Sequence, residues 1–134
     1  MQRKIARENA FILIYESVFK KDDEPQEIFD MATAYRELES DDYVKKVFFG
    51  SCENASVIDE AVEKYSKGWK KERISPVSMA ILRLACFEIM FMDDIPARVA
   101  INEAIELSKK YDEEKSYSFI NGILNAVADE KGKK

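Results

Sequence analysis

The stretch Val77–Met92 constrains the fold more than any other part of the chain. Across it only Arg83 and Glu88 carry charge, and the remainder is an almost unbroken run of aliphatic, aromatic and sulfur side chains. Ser75-Pro76 stands just before it, an N-cap residue followed by proline at a first helical position. A helix that is apolar on nearly every face is stable only when other elements surround it, so this one reads as the centre of the molecule. With its two charges it falls short of the roughly 18 consecutive apolar residues that a membrane span needs. The rest of the chain must therefore supply elements that wrap it. With only four Gly and three Pro in 134 residues there is little material for tight turns. That scarcity favours long helices over short strands.

The flanking sequence bears this out at the level of pattern. Residues 2 to about 20 predict a first helix, with Ala10 to Tyr15 apolar almost all round. Lys21-Asp22-Asp23-Glu24 is a polar break. Pro25 opens a second helix to about Leu38. Ser40 is placed to cap a third, in which Val44, Val47, Phe48, Cys52, Ala55, Ile58, Val62 and Tyr65 recur at spacings of three and four up to Lys67-Gly68. After the central helix, Asp93-Asp94-Ile95-Pro96 starts a fifth, to about Tyr111. Ser116 caps a sixth, to about Glu130. Gly122 falls inside that last helix, where it costs about 1 kcal/mol relative to Ala. The expected compensation is a close approach by another helix. Residues 129–134 read as a flexible tail. The sequence predicts an all-α bundle forming one domain over 1–134.

Several chemistries are excluded or left without support. The chain has no histidine, which removes the commonest general base and the Ser-His and Cys-His nucleophile pairs. Its glycines are isolated, so no phosphate-cradling loop can be built. Cys52 and Cys86 have neither disulfide nor zinc spacing and read as small buried hydrophobes. No metal or cofactor is expected. The carboxylates are scattered over helix starts and polar faces, and nothing selects an acid–base pair. The N-terminal stretch does not read as a signal peptide, because the uncharged run from Asn9 to Tyr15 is short and ends at Glu16. The expectation is a soluble, cytoplasmic protein that is not an enzyme.

A net charge of −5 argues against general nucleic-acid binding, so any such role must rest on a local patch. Arg3, Lys4 and Arg7 form one. With Arg3 at zero on the helical wheel, Arg7 lies at about 40° and Lys4 at about 100°, a single arc. The arc continues into Phe11, Ile14 and Tyr15, so a basic end leads into an apolar and aromatic strip. Cations of this kind hold phosphates, and aromatic rings stack on unpaired bases. They also oppose the helix dipole by a few tenths of a kcal/mol, which a merely solubilising helix end would avoid.

Four blocks of sequence resemble the NusB family. They are Arg3-Lys4-Ile5-Ala6-Arg7-Glu8-Asn9-Ala10 with Tyr15; Trp69 with Arg73-Ile74 and Ala80–Glu88; Ile95-Pro96 with Val99–Leu107; and Ser116–Leu124. They occur in the family's order and cover nearly the whole chain. The resemblance implies a compact all-helical fold of six to seven helices in two packed helical subdomains. It implies a transcription antitermination factor that binds the boxA segment of nascent RNA. Its partner there would be NusE, a small-subunit ribosomal protein, on the elongating RNA polymerase, in support of ribosomal RNA transcription. It implies no cofactor and no membrane, and it leaves open a homodimer formed through the RNA-facing surface.

Residue by residue, the resemblance assigns RNA contact to Arg3, Lys4 and Arg7, and to the start of the last helix at Lys115, Ser118 and Phe119. Lys115 also fits an exposed charge, and Phe119 also fits the core. The family often has Gln where Ile12 stands. Asn102-Glu103 reads as a structural tie between helices. Arg83 reads either as a snorkelling side chain or as one half of a buried ion pair. The surroundings of the central helix are the expected protein-partner face. Two other readings stand beside this one. One is a protein-only scaffold with weak or no RNA binding. The other is the NusB-like domain of a ribosomal-RNA cytosine methyltransferase, for which a chain of this length leaves no room for a catalytic domain.

Overall fold

A computed structural model describes residues 1–67 and 73–133. Its elements are α1 (Arg3–Phe19), α2 (Pro25–Asp30), a π-helical turn (Met31–Tyr35), α3 (Asp42–Glu53), α4 (Ala55–Tyr65), α5 (Pro76–Phe91), α6 (Ala97–Tyr111) and α7 (Ser116–Glu130). There is no strand among the described residues. No described helix is long and apolar enough to cross a membrane.

The charge-poor segment is central, as its pattern requires. α5 packs against α1, α3, α4, α6 and α7. Ser75 caps it by accepting from the backbone N–H of Ser78 at 3.1 Å, and Pro76 opens its first turn. Ile81, Leu82, Leu84, Ala85 and Cys86 are wholly buried. Each buried Leu or Ile contributes about 1.5–3 kcal/mol. Burial also pushes the Cys86 thiol up to about 12. α1 and α3 pack on each other and on α5, with α2 beside α1, while α4 and α6 both pack on α7 and on α5. These are the two packed subdomains, with α5 bearing on both.

The second predicted helix stops at Tyr35, short of Leu38, with its last turn π-helical; besides that boundary the structure departs from the sequence pattern in five places. The third helix is two helices, broken at Asn54, whose side-chain amide donates to the carbonyl of Gly50 at 2.8 Å. The apolar period runs on through the break, but α3 faces α1 and α5 whereas α4 faces α5 and α7. The cap of α3 is Asp41, accepting from Val44 N–H at 2.9 Å, and Ser40 stands one residue outside. Lys115, with Ser116 as the first helical residue, occupies the cap position of α7.

Glycine is the fourth departure. A β-carbon at Gly122 would meet nothing within 4 Å, so no helix approaches there. The close approach is at Gly50, where a β-carbon would overlap the Phe87 ring of α5. The fifth concerns the tail. Gly132 has φ +66°, Lys133 N–H donates to Ala128 C=O at 2.9 Å and Gly132 N–H to Asp129 C=O at 3.0 Å, which is a Schellman C-cap. Lys133 Nζ then donates to the carbonyls of Glu88, Ile89 and Met92 at 3.2, 3.2 and 2.8 Å. Residues 129–133 thus close α7 and satisfy the last carbonyls of α5. The expectations at Gly68, Trp69 and Lys134 lie outside the described residues.

Candidate nucleic-acid interface

The basic end of α1 separates into a surface pair and a buried arginine. Arg3 and Lys4 are exposed in the first turn, whereas Arg7, one turn on, is only 4% exposed. Arg7 points inward because α5 presents Glu88, a fully buried carboxylate that must be neutralised. The Arg7 guanidinium meets it as a fork, Nε at 3.1 Å and Nη2 at 2.9 Å from Oε2. The Tyr43 hydroxyl of α3 donates to the same oxygen at 2.7 Å. Glu103 of α6 faces the other side of the arginine, 3.7 Å from Nη1. Three helices are tied to α1 through this one side chain. Burial together with the charge of Glu88 pushes the Tyr43 hydroxyl well above the ordinary tyrosine range, so it stays a donor. Arg7 thus differs from its two neighbours: its Nε and Nη2 are spent on Glu88, it is almost wholly buried, and only its Nη1 side, toward Glu103, is left to line the groove described next.

Beside the surface pair runs a groove of about 280 Å³, lined by Lys4, Arg7 and Glu8 of α1 and by Glu103, Glu106, Leu107, Lys109 and Lys110 of α6. Lys110 Nζ binds Glu8 at 2.8 Å, and the Tyr111 ring packs 5.0 Å from that of Phe11. These contacts hold the end of α6 against α1. Lys109 also lines a second depression that reaches Glu113, Glu114 and Tyr117. The latter three line a third one together with Lys115 and Ser118. Between the two clusters picked out by sequence, at the starts of α1 and α7, lies a track of three depressions that share lining residues, Lys109 of the last turn of α6 between the first two and Glu113, Glu114 and Tyr117 between the last two. Lys115 and Ser118 are exposed on it, and Lys115 lies 3.5 Å from Glu113. Phe119 is half-buried and packs against the core. The track carries cations interleaved with carboxylates, which suits a ligand held at a few phosphates and not a uniformly basic groove.

A family model described as the NusB family matches residues 4–129. The chain belongs to the NusB family. The transcription antitermination protein NusB of Acetivibrio thermocellus is 48% identical over 132 residues, covering 98% of this chain and 91% of the relative. The solved structure of T. maritima NusB superposes with a TM-score of 0.84 at 34% identity, over 97% of this chain and 92% of that one. A chain in the crystal structure of the antitermination factors NusB and NusE in complex with dsRNA superposes with a TM-score of 0.83 at 27% identity, covering 96% of each.

Within this NusB-family fold, sequence reasoning missed Tyr43, Lys109, Lys110 and Tyr117. Lys109-Lys110 carried a usable signal, two cations in the last turn of a helix, but nothing in one dimension puts that turn beside α1. Tyr43 carried none. Asn102, expected as part of an interhelical tie, is exposed, and only its neighbour Glu103 turns toward a partner helix. Of the two readings of Arg83, the ion pair is the one observed, with Nε and Nη2 at 2.9 and 2.8 Å from the Asp59 carboxylate.

Proposed function

We propose that this chain is a transcription antitermination factor that binds boxA-type single-stranded RNA jointly with NusE on the elongating RNA polymerase, and so supports ribosomal RNA transcription. It works in the cytoplasm, by binding alone, with no catalysis and no cofactor. The observation that carries this reading is the exposed Arg3–Lys4 pair, with Lys4 lining the first of the depressions that succeed one another to Lys115 and Ser118, on a chain whose full-length relatives are antitermination proteins. Arg3, Lys4 and Lys115 meet phosphates. Ser118 donates or accepts at a sugar or base edge, and Phe119 offers its exposed edge to a base. Arg7 acts from within, holding the first turn of α1 in place.

The test is a titration of boxA-type RNA with the protein alone and with NusE, over a range of salt. Three phosphate contacts predict a log–log slope of roughly −2, and replacing Arg3 and Lys4 with Ala should reduce it to roughly −0.7. A protein pair with no preference for boxA-type RNA over unrelated oligonucleotides would sink the reading. The burial of Arg7 favours one alternative, a protein-only scaffold, because it leaves fewer surface cations than the sequence offers. Binding to NusE without RNA binding in any combination would select it. If a homodimer forms through the track, RNA should dissociate it, and a sedimentation profile unmoved by saturating RNA would exclude that arrangement.

A further inference from the structure

The Arg3 guanidinium does not wave free in solvent. Its Cζ lies 4.3 Å from the centre of the Tyr43 ring, and Arg7 approaches the same ring at 5.7 Å. The ring is itself immobile. Tyr43 is 6% exposed, and its hydroxyl is pinned to Glu88, which the Arg7 fork holds in turn. A guanidinium held over a ring keeps the N–H donors that point away from it free, and those donors are what a phosphate engages. An arginine with no such platform would lose its rotamer freedom at the moment of binding, and that loss weakens affinity.

We propose that Tyr43 is a positioning residue for RNA binding: its ring, anchored from beneath by Glu88 and Arg7, holds Arg3 in the orientation that receives a phosphate. The proposal rests on the RNA-binding reading above. It assigns a role to a residue that touches no RNA, and it joins the buried network to the surface pair. The coupling is through geometry, so Tyr43 sets how well Arg3 is presented while the number of phosphates neutralised stays the same.

The experiment is the titration of boxA-type RNA with the full chain and NusE, for Tyr43→Leu, Tyr43→Phe, Arg3→Ala and the double variant Arg3→Ala/Tyr43→Leu. Tyr43→Leu should weaken binding by about threefold to tenfold with the salt slope unchanged, since no charge is lost. Arg3→Ala should lower the slope by roughly 0.7, and its cost should shrink clearly in the Tyr43→Leu background. Tyr43→Phe keeps the ring and loses the hydroxyl bond that helps to anchor it, so packing alone holds the ring. Its RNA binding should fall between that of wild type and that of Tyr43→Leu, with the salt slope unchanged. If Tyr43→Leu does not fold, Arg3→Lys takes its place, keeping the charge and slope but losing the stack, with a similar weakening.

The free protein supplies a check independent of RNA: the Arg3 side-chain proton resonances should show a ring-current shift that Tyr43→Phe preserves. Additive costs for Arg3→Ala and Tyr43→Leu, or an unshifted Arg3 resonance, overturn the inference while RNA binding itself stands. Failure of the unaltered pair to bind the RNA overturns the functional reading and this inference with it.

Discussion

Arg3 and Arg7 are the same residue type one helical turn apart, and their surroundings give them opposite tasks. Arg3 keeps its charge at the surface, whereas Arg7 is sealed between Glu88, Glu103 and Tyr43. Removing one partner of a buried hydrogen-bonded ion pair leaves the other charge stranded, at a cost of about 3–5 kcal/mol. Arg7→Ala should therefore lower the unfolding free energy obtained from urea titration by that order, while Arg3→Ala should leave it within about 1 kcal/mol of wild type. Equal effects from the two variants would mean that the Arg7–Glu88 pair is solvated in solution. From the sequence the two arginines were indistinguishable, because both fall on one arc of the helix. What separates them is a carboxylate 81 positions away.

At the scale of elements, two glycines inside helices have contrasting neighbours. Gly50 lets α3 and α5 approach until the Phe87 ring occupies the space of the missing side chain, and Gly122 faces open space on α7. Gly50→Ala should destabilise by about 1–3 kcal/mol, since Phe87 is held by packing and must move. Gly122→Ala should stabilise by up to about 1 kcal/mol through helix propensity alone. Thermal melts of the two single variants should thus shift in opposite directions, and a shared sign would contradict the packing described. Periodicity placed both glycines within helices, although it ran α3 and α4 together. It could not say which glycine was needed, because the pattern records which face is apolar and not how near the next helix comes. The bend at Asn54 was hidden for the same reason. Either side of it keeps an apolar stripe, and only the identity of the neighbours changes.

At the scale of the whole molecule, α5 makes one unit of two subdomains. Groups held on it are therefore expected to titrate with global unfolding. Burial holds the Cys86 thiol neutral, moving it from 9.0 up to about 12, and burial with the charge of Glu88 raises Tyr43 as well. Both are acids whose folded values lie above their unfolded ones. The folded state then binds more protons than the unfolded chain over that window. Their contribution to stability is fully present below about pH 9 and is lost progressively as pH rises toward 12. Urea unfolding at a series of alkaline pH values should show the midpoint falling, with Cys86→Ala falling less steeply. A flat midpoint between neutral pH and about pH 10.5 would rule out a buried neutral thiol.

The sequence on its own determined the fold class, the central position of Val77–Met92 and most helix boundaries, because these follow from local propensity and from which residues avoid water; the family was legible separately, from four blocks of residues in a recognisable order. It also nominated both ends of the candidate interface, the α1 end because a cluster of cations at a helix start is visible in one dimension and the α7 end through the family resemblance. Tertiary structure alone decided which of those cations faces solvent, that the last turn of α6 lies between the two clusters, and that Tyr43 lies under Arg3. Burial of a charge and stacking on a ring depend on the distance between helices far apart in the chain. Hydrophobic periodicity carries no record of that distance.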